Sequence, residues 1–220
     1  NVSFKVNAGQ RIAIVGATGA GKSSIINLLS RFYEYNKGSI EIDGTDLRDF
    51  DPSYLSRQVG VVLQDVFLFS DSIINNITLN NPNIDRERVI EAAKAIGAHQ
   101  FIERLPGTYD YDVKERGGVL SVGQRQMLAF IRAYIYNPAV LVLDEATSSV
   151  DTETETMIQA AIDKITAGRT SIIIAHRLAT IQHADIIMVM DQGQVVETGN
   201  HQELLQRDGA YRKLYDLQFV

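Results

Sequence analysis

Eight consecutive residues, Gly16-Ala17-Thr18-Gly19-Ala20-Gly21-Lys22-Ser23, carry the most specific chemistry in this chain. Their spacing fits G-x-x-x-x-G-K-[ST], in which the glycines let backbone N–H groups turn inward around phosphate oxygens. Lys22 adds a point charge suited to β- and γ-phosphates, and the Ser23 hydroxyl is a ligand for Mg²⁺. Ser24 opens a helix-like run whose N-terminal dipole would face the same anion. Such a loop needs a strand before it and a helix after it, and both are legible. Ile12-Ala13-Ile14-Val15 is an apolar run, and residues 24–29 follow a helical pattern. The segment reads as a nucleotide phosphate-binding loop rather than a glycine-rich turn with an incidental lysine.

A second candidate is Val140-Leu141-Val142-Leu143-Asp144-Glu145, an apolar strand ending in two carboxylates. Ligands gather at the C-terminal edge of parallel sheets. Asp144 would hold Mg²⁺ there, directly or through water, and Glu145 would polarise a water for in-line attack on the γ-phosphate. Alone, the run fits a solvated strand-to-helix turn as well; the phosphate loop favours the metal reading. Gln64 ends the apolar run 59–63, where its amide suits Mg²⁺ or the attacking water, or simply closes a strand. His176 ends the run 171–175, and a neutral imidazole there can donate to a γ-phosphate. A lone histidine after an apolar strand is more often structural. His99, His183 and His201 fall in helical or turn contexts and receive no role.

The elements that must position these residues alternate along the chain. Residues 2–6 alternate as a strand, and Ser39-Ile40-Glu41-Ile42 does so up to the turn signal Asp43-Gly44. Strand patterns recur at 59–63, 140–144, 171–175, 186–190 and 194–198, with helical patterns at 152–165 and 201–206. Continuous apolar strands alternating with helices predict a mostly parallel sheet covered on both faces. Residues 71–135 are different: helical patterns dominate at 86–96, 99–104 and 123–135. The reading is a single α/β domain with a core at 1–70 and 136–220 and an inserted helical subdomain at 71–135. Ser121-x-x-Gln124, Thr152-x-x-Glu155 and Asn200-x-x-Glu203 each have the form of a helix start with a capping box.

The 220 residues are 45% hydrophobic and 22% charged, ordinary for a globular protein with one sizeable core. A net charge of −6 and the lack of any basic run argue against nucleic-acid binding. Zero cysteines exclude disulfides and cysteine-ligated zinc. The longest apolar runs are strand length, far short of the ~20 residues that span a bilayer. The chain opens on Asn1 in a strand-like pattern with no initiator Met, which suggests an excised piece of a longer polypeptide.

In order, the chain shows the phosphate loop, Gln64, Leu120-Ser121-Val122-Gly123-Gln124, the 140–145 run, Ser148-Ser149-Val150-Asp151 and His176. This set resembles the nucleotide-binding domain of ABC transporters over nearly its whole length, matching that family's Walker A, Q-loop, signature, Walker B, D-loop and H-loop. Residues 64–69, 145–151, 174–178 and 199–205 look most like the exporter type, as in a bacterial multidrug- or lipid-exporter-like protein. The resemblance implies a P-loop NTPase (RecA-like) α/β core with an N-terminal antiparallel β part. It implies ATP and Mg²⁺ as ligands, with Ser23, Gln64 and Asp144 around the metal, and Lys22, Gln64, Glu145 and His176 in catalysis. Two such domains would close head to tail, with Ser121, Gly123 and Gln124 of one reaching the γ-phosphate held by the other and Asp151 nearby. Arg116-Gly117-Gly118 belongs to a loop that exporters use for coupling. Upstream transmembrane segments and a place at the cytoplasmic face of the cell membrane follow from the same resemblance.

Two residues depart from the family pattern. Val122 stands where glycine is usual, and a β-branched side chain resists φ > 0. A parent transporter built from two different halves is one reading of that change. The adenine-stacking aromatic is expected upstream of residue 1, since Phe4 is the sole aromatic before Gly16; its loss would weaken nucleotide binding by ~1–3 kcal/mol. The alternative, a soluble ABC ATPase acting on DNA or ribosomes, calls for a long coiled coil between Lys22 and Ser121 or for a second cassette, and neither is visible in the sequence.

Overall fold

A computed structural model describes residues 2–145 and 151–219. In chain order its strands and helices are β1 (Arg11–Val15), α1 (Lys22–Leu29), β2 (Glu41–Ile42), β3 (Thr45–Asp46), α2 (Pro52–Gln58), β4 (Val59–Val62), α3 (Ile73–Thr78), α4 (Arg86–Ile96), α5 (His99–Glu103), α6 (Val122–Tyr136), β5 (Val140–Asp144), α7 (Thr152–Thr166), β6 (Thr170–Ile174), α8 (Leu178–Gln182), β7 (Ile186–Asp191), β8 (Gln194–Gly199), α9 (His201–Gln206) and α10 (Ala210–Phe219). Among the described residues the chain forms two compact units. One lies within Asn1–Val61, Pro138–Ala146 and Gly168–Val220, the other within Val62–Asn137 and Thr147–Ala167.

The first unit is built on a six-stranded sheet of order β4-β5-β6-β1-β7-β8. β1 pairs in parallel with both β6 and β7, and β5 pairs in parallel with β6. The β7–β8 edge pair is antiparallel, with a bulge between Val189 and Met190. The central strands are rich in Ile, Val and Leu through their middles because they are buried on both faces. Ile14, Leu141, Val142, Ile173 and Ile187 are fully buried, and each such side chain contributes ~1.5–3 kcal/mol over an exposed one. α1 packs onto this sheet through Ile25 and Ile26.

The short β2–β3 hairpin turns at Asp43-Gly44, where φ is +51° and +78°. Positive φ at both central residues is what a type I′ turn requires. The antiparallel β part therefore consists of β2–β3 and β7–β8. Residues 2–6 form no strand, contrary to their alternation. Val2 and Phe4 are exposed, and only Val6 packs against the cluster of Ile12, Ile14 and Met190. Without a neighbouring strand, an alternating run has no cross-strand pairs to hold it.

The second unit is helical. α6 buries Met127, Leu128, Phe130 and Ile131, and α7 buries Ile158, Ile162 and Ile165. The predicted starts of α6 and α9 hold, with complete capping boxes at Ser121/Gln124 and Asn200/Glu203. The start of α7 is one residue earlier than the Thr152-x-x-Glu155 pattern suggests. Asp151 is its N-cap, accepting from the Thr154 amide at 2.9 Å and the Thr154 hydroxyl at 2.7 Å. A carboxylate accepts from those first-turn donors more strongly than the Thr152 hydroxyl would.

Candidate active site

The phosphate loop is shaped by close approach as much as by flexibility. Gly16 leaves β1 with φ +152°, and a Cβ there would lie 2.2 Å from the Met190 carbonyl oxygen. Gly19 and Gly21 have φ of +83° and +99°, values that disfavour other residue types. The Ala20 amide bonds the Ala17 carbonyl at 3.1 Å and tightens the loop, while Ala17, Thr18 and Gly19 face solvent. Lys22 is only 7% exposed. Its Nζ donates to the carbonyls of Gly16 at 2.7 Å and Ala17 at 3.0 Å, spanning the loop from beneath. Burial lowers its pKa, and the Asp144 charge acts in the opposite direction. Gly21 is the N-cap of α1 and provides no side-chain cap, so the first-turn amides of α1 are turned toward the loop beside the exposed Ser23 and Ser24.

Asp144 ends β5 opposite Ile174 of β6, close enough to Lys22 for their charges to interact. Glu145 follows it and is 2% exposed. Its Oε2 accepts from the backbone amides of His176 at 2.8 Å and Arg177 at 3.1 Å, and its Oε1 accepts from the Thr180 hydroxyl. Burial raises its pKa, while those three donors pull it back. His176 is half-buried, and burial plus the Lys22 charge lower its pKa, which keeps the imidazole neutral at pH 7. The first unit thus brings the phosphate loop, Lys22, Asp144, Glu145 and His176 into one electrostatic neighbourhood.

Gln64, Ser121, Gly123, Gln124 and Asp151 lie in the second unit. Gln64 is exposed just beyond β4. At the tip of α6, Ser121 Oγ accepts from the Gln124 amide at 3.1 Å, and Gln124 Oε1 accepts from the Ser121 amide at 3.0 Å. Val122 is the first helical residue and exposed, so its backbone needs no positive φ. Gly123 is a packing requirement: a Cβ there would lie 2.3 Å from Thr154 Cγ2. Asp151 holds that same Thr154, which links the expected signature and D-loop residues within this unit. Residues 146–150, with Ser148, Ser149 and Val150, lie outside the described residues.

The sequence profile of the ABC transporter family matches residues 1–148. The chain belongs to that family. It is an ATP-binding ATPase domain of the ABC type. YgaD of Bacillus subtilis (strain 168), described as a putative multidrug export ATP-binding/permease protein, is 48% identical over 99% of the chain and 38% of its own length. An uncharacterised ABC transporter ATP-binding protein of the same organism, YknV, is 48% identical over 99% of the chain and 36% of its own length. A bacterial Atm1-family ABC exporter solved with ATP bound superposes on 100% of the chain with a TM-score of 0.92 and 45% identity, over 38% of that exporter. The chain spans under two fifths of the length of these relatives. No helix among the described residues is long and apolar enough to cross a membrane.

Three features of this ABC domain are absent from its motifs. Thr180 bonds the Glu145 carboxylate, Thr154 links Gly123 to Asp151, and the Met190 carbonyl crowds Gly16. Thr180 left one trace in the sequence: a polar residue four positions past His176, set between Ala179 and Ile181.

Proposed function

We propose that this ABC domain is the motor of an exporter, hydrolysing Mg²⁺-bound ATP between two domains closed head to tail and driving cargo across a membrane. In this reading Gly16 to Ser24 hold the phosphates and Glu145 is the general base. Lys22 and His176 stabilise charge developing on the γ-phosphate. Ser121, Gly123, Gln124 and Asp151 serve the nucleotide of a second domain, homologous or identical. A parent chain supplies transmembrane segments upstream, placing the motor at the cytoplasmic face of the membrane. The domain divides into a core at 1–70 and 136–220 and a helical subdomain at 71–135.

The donors suit Mg²⁺. The Ser23 hydroxyl and the Asp144 carboxylate of the first unit are both hard oxygen ligands, and the described residues include no cluster of three carboxylate or histidine ligands. Mg²⁺ commonly uses one or two protein oxygens together with water and substrate phosphates. When bound, it would neutralise charge on the β- and γ-oxygens. Lys22 uses two of its three N–H donors to hold the loop carbonyls, and neutral His176, within reach of the Lys22 charge, can donate a hydrogen bond or accept a proton.

The observation that carries this reading is the buried Lys22 ammonium clamped to the Gly16 and Ala17 carbonyls in the same neighbourhood as Asp144 and His176. Two variants test it. Lys22→Ala should weaken ATP binding at least tenfold in calorimetry. Glu145→Gln should keep binding while turnover falls by about 10²–10⁴. Unchanged affinity in the first, or unchanged turnover in the second, would refute the assigned roles.

A further inference from the structure

Glu145 has partners that conflict with its work. A general base must reach the water it activates. Here both carboxylate oxygens are turned into the protein, toward the amides of His176 and Arg177 and the hydroxyl of Thr180. Glu145 is 2% exposed and Thr180 is fully buried, so the carboxylate is turned away from bulk solvent. The pocket lies wholly within the first unit. Hydrogen bonds to an ionised acceptor are stronger than neutral ones, so three such donors form a well-defined resting place for the carboxylate.

We propose that Thr180 is a positioning residue that withholds Glu145 between turnovers, its hydroxyl completing a pocket that the carboxylate must leave before it can activate water. The proposal rests on the reading of Glu145 as the base. Each turnover then includes a side-chain rotation of Glu145, and the population of the released carboxylate sets the rate of hydrolysis in the absence of cargo. Of the three donors, only Thr180 can be removed without touching the main chain. Valine keeps its branched shape and lacks the hydroxyl.

The test is ATP turnover as a function of ATP concentration in the intact protein, for wild type, Thr180→Val, Thr180→Ser and Glu145→Gln. Thr180→Val should raise kcat about 10-fold, which is ~1.4 kcal/mol, with KM within about twofold of wild type. Thr180→Ser, which restores a hydroxyl, should return the wild-type rate. A merely structural Thr180 would leave kcat unchanged or lower it, and either result overturns the proposal. Turnover by Glu145→Gln at the wild-type rate would defeat the base assignment itself. A silent Glu145→Gln beside an unaccelerated Thr180→Val would defeat only the withholding role. Should Thr180→Val fail to fold, amide exchange in the unaltered protein decides. The His176 and Arg177 amides should be protected without nucleotide and exchange faster with a non-hydrolysable Mg·ATP analogue; equal protection in both states overturns the proposal.

Discussion

Replacing Gly123 with alanine would set two opposing effects against each other. Alanine in a helix is favoured over glycine by up to ~1 kcal/mol, so on propensity alone Gly123→Ala would stabilise α6. The packing says otherwise. The new Cβ would stand 2.3 Å from Thr154 Cγ2 and 3.7 Å from Ile158 Cδ1, the first more than ~1 Å inside ordinary carbon–carbon contact. Thr154 cannot swing aside cheaply, because its hydroxyl is held by Asp151 at 2.7 Å. Asp151 itself sits below the usual carboxylate range on account of its bonds to Thr154. Overpacking of this kind costs ~1–3 kcal/mol, which leaves a net loss of ~0–2 kcal/mol after the ~1 kcal/mol propensity gain. Urea unfolding of Gly123→Ala should show a lower midpoint at an unchanged slope. In a Thr154→Ser background, where the hydroxyl stays and the offending methyl is gone, most of that loss should vanish, giving a coupling of ~1 kcal/mol or more. A stabilised Gly123→Ala, or an identical loss in both backgrounds, would show that Thr154 does not dictate glycine at this position.

Two further outcomes follow from the same coordinates. Gly16→Ala should cost more stability than Gly19→Ala in thermal unfolding, since the first Cβ meets a backbone oxygen at 2.2 Å and the second meets nothing within 4 Å; equal losses would contradict the close approach. His201 bonds the Tyr211 hydroxyl at 2.6 Å, and burial lowers its pKa. A histidine whose folded pKa is depressed contributes stability that is present above its ordinary value near 6.5 and lost as pH falls through the lower folded value. His201→Gln should therefore lose less stability than wild type between pH 7 and pH 5; parallel losses would remove His201 from that dependence.

The parallel sheet was legible because central strands buried on two faces must be continuous apolar runs, and residues 12–15, 140–143 and 172–175 are. The phosphate loop was legible because its residue types are dictated locally, by positive φ at Gly19 and Gly21 and by the reach of Lys22. Residues 2–6 misled because alternation states which side of a strand would face inward, not whether a neighbouring strand exists. The cap of α7 was misplaced by one because Asp151 and Thr152 both suit the role, and the choice depends on which oxygen reaches the Thr154 donors. Contacts between distant segments left almost no local trace. The Thr180 hydroxyl reaches Glu145 across 35 positions, and the Met190 carbonyl reaches Gly16 across 174.

The β7–β8 turn gives the cradle an unexpected dependence. Gln192 and Gly193 both have positive φ, the Gly193 amide bonds the Ala20 carbonyl at 3.1 Å, and Met190 packs against Gly16 and Gly21. A tight surface hairpin ordinarily tolerates an epitope tag, a fluorescent insertion or relocated chain termini. This one backs the 16–23 loop, so in the proposed reading of that loop as the phosphate seat, cutting or lengthening the turn should loosen nucleotide grip from a place no motif marks. Protein engineers seeking a permissive splice point should leave residues 190–193 intact.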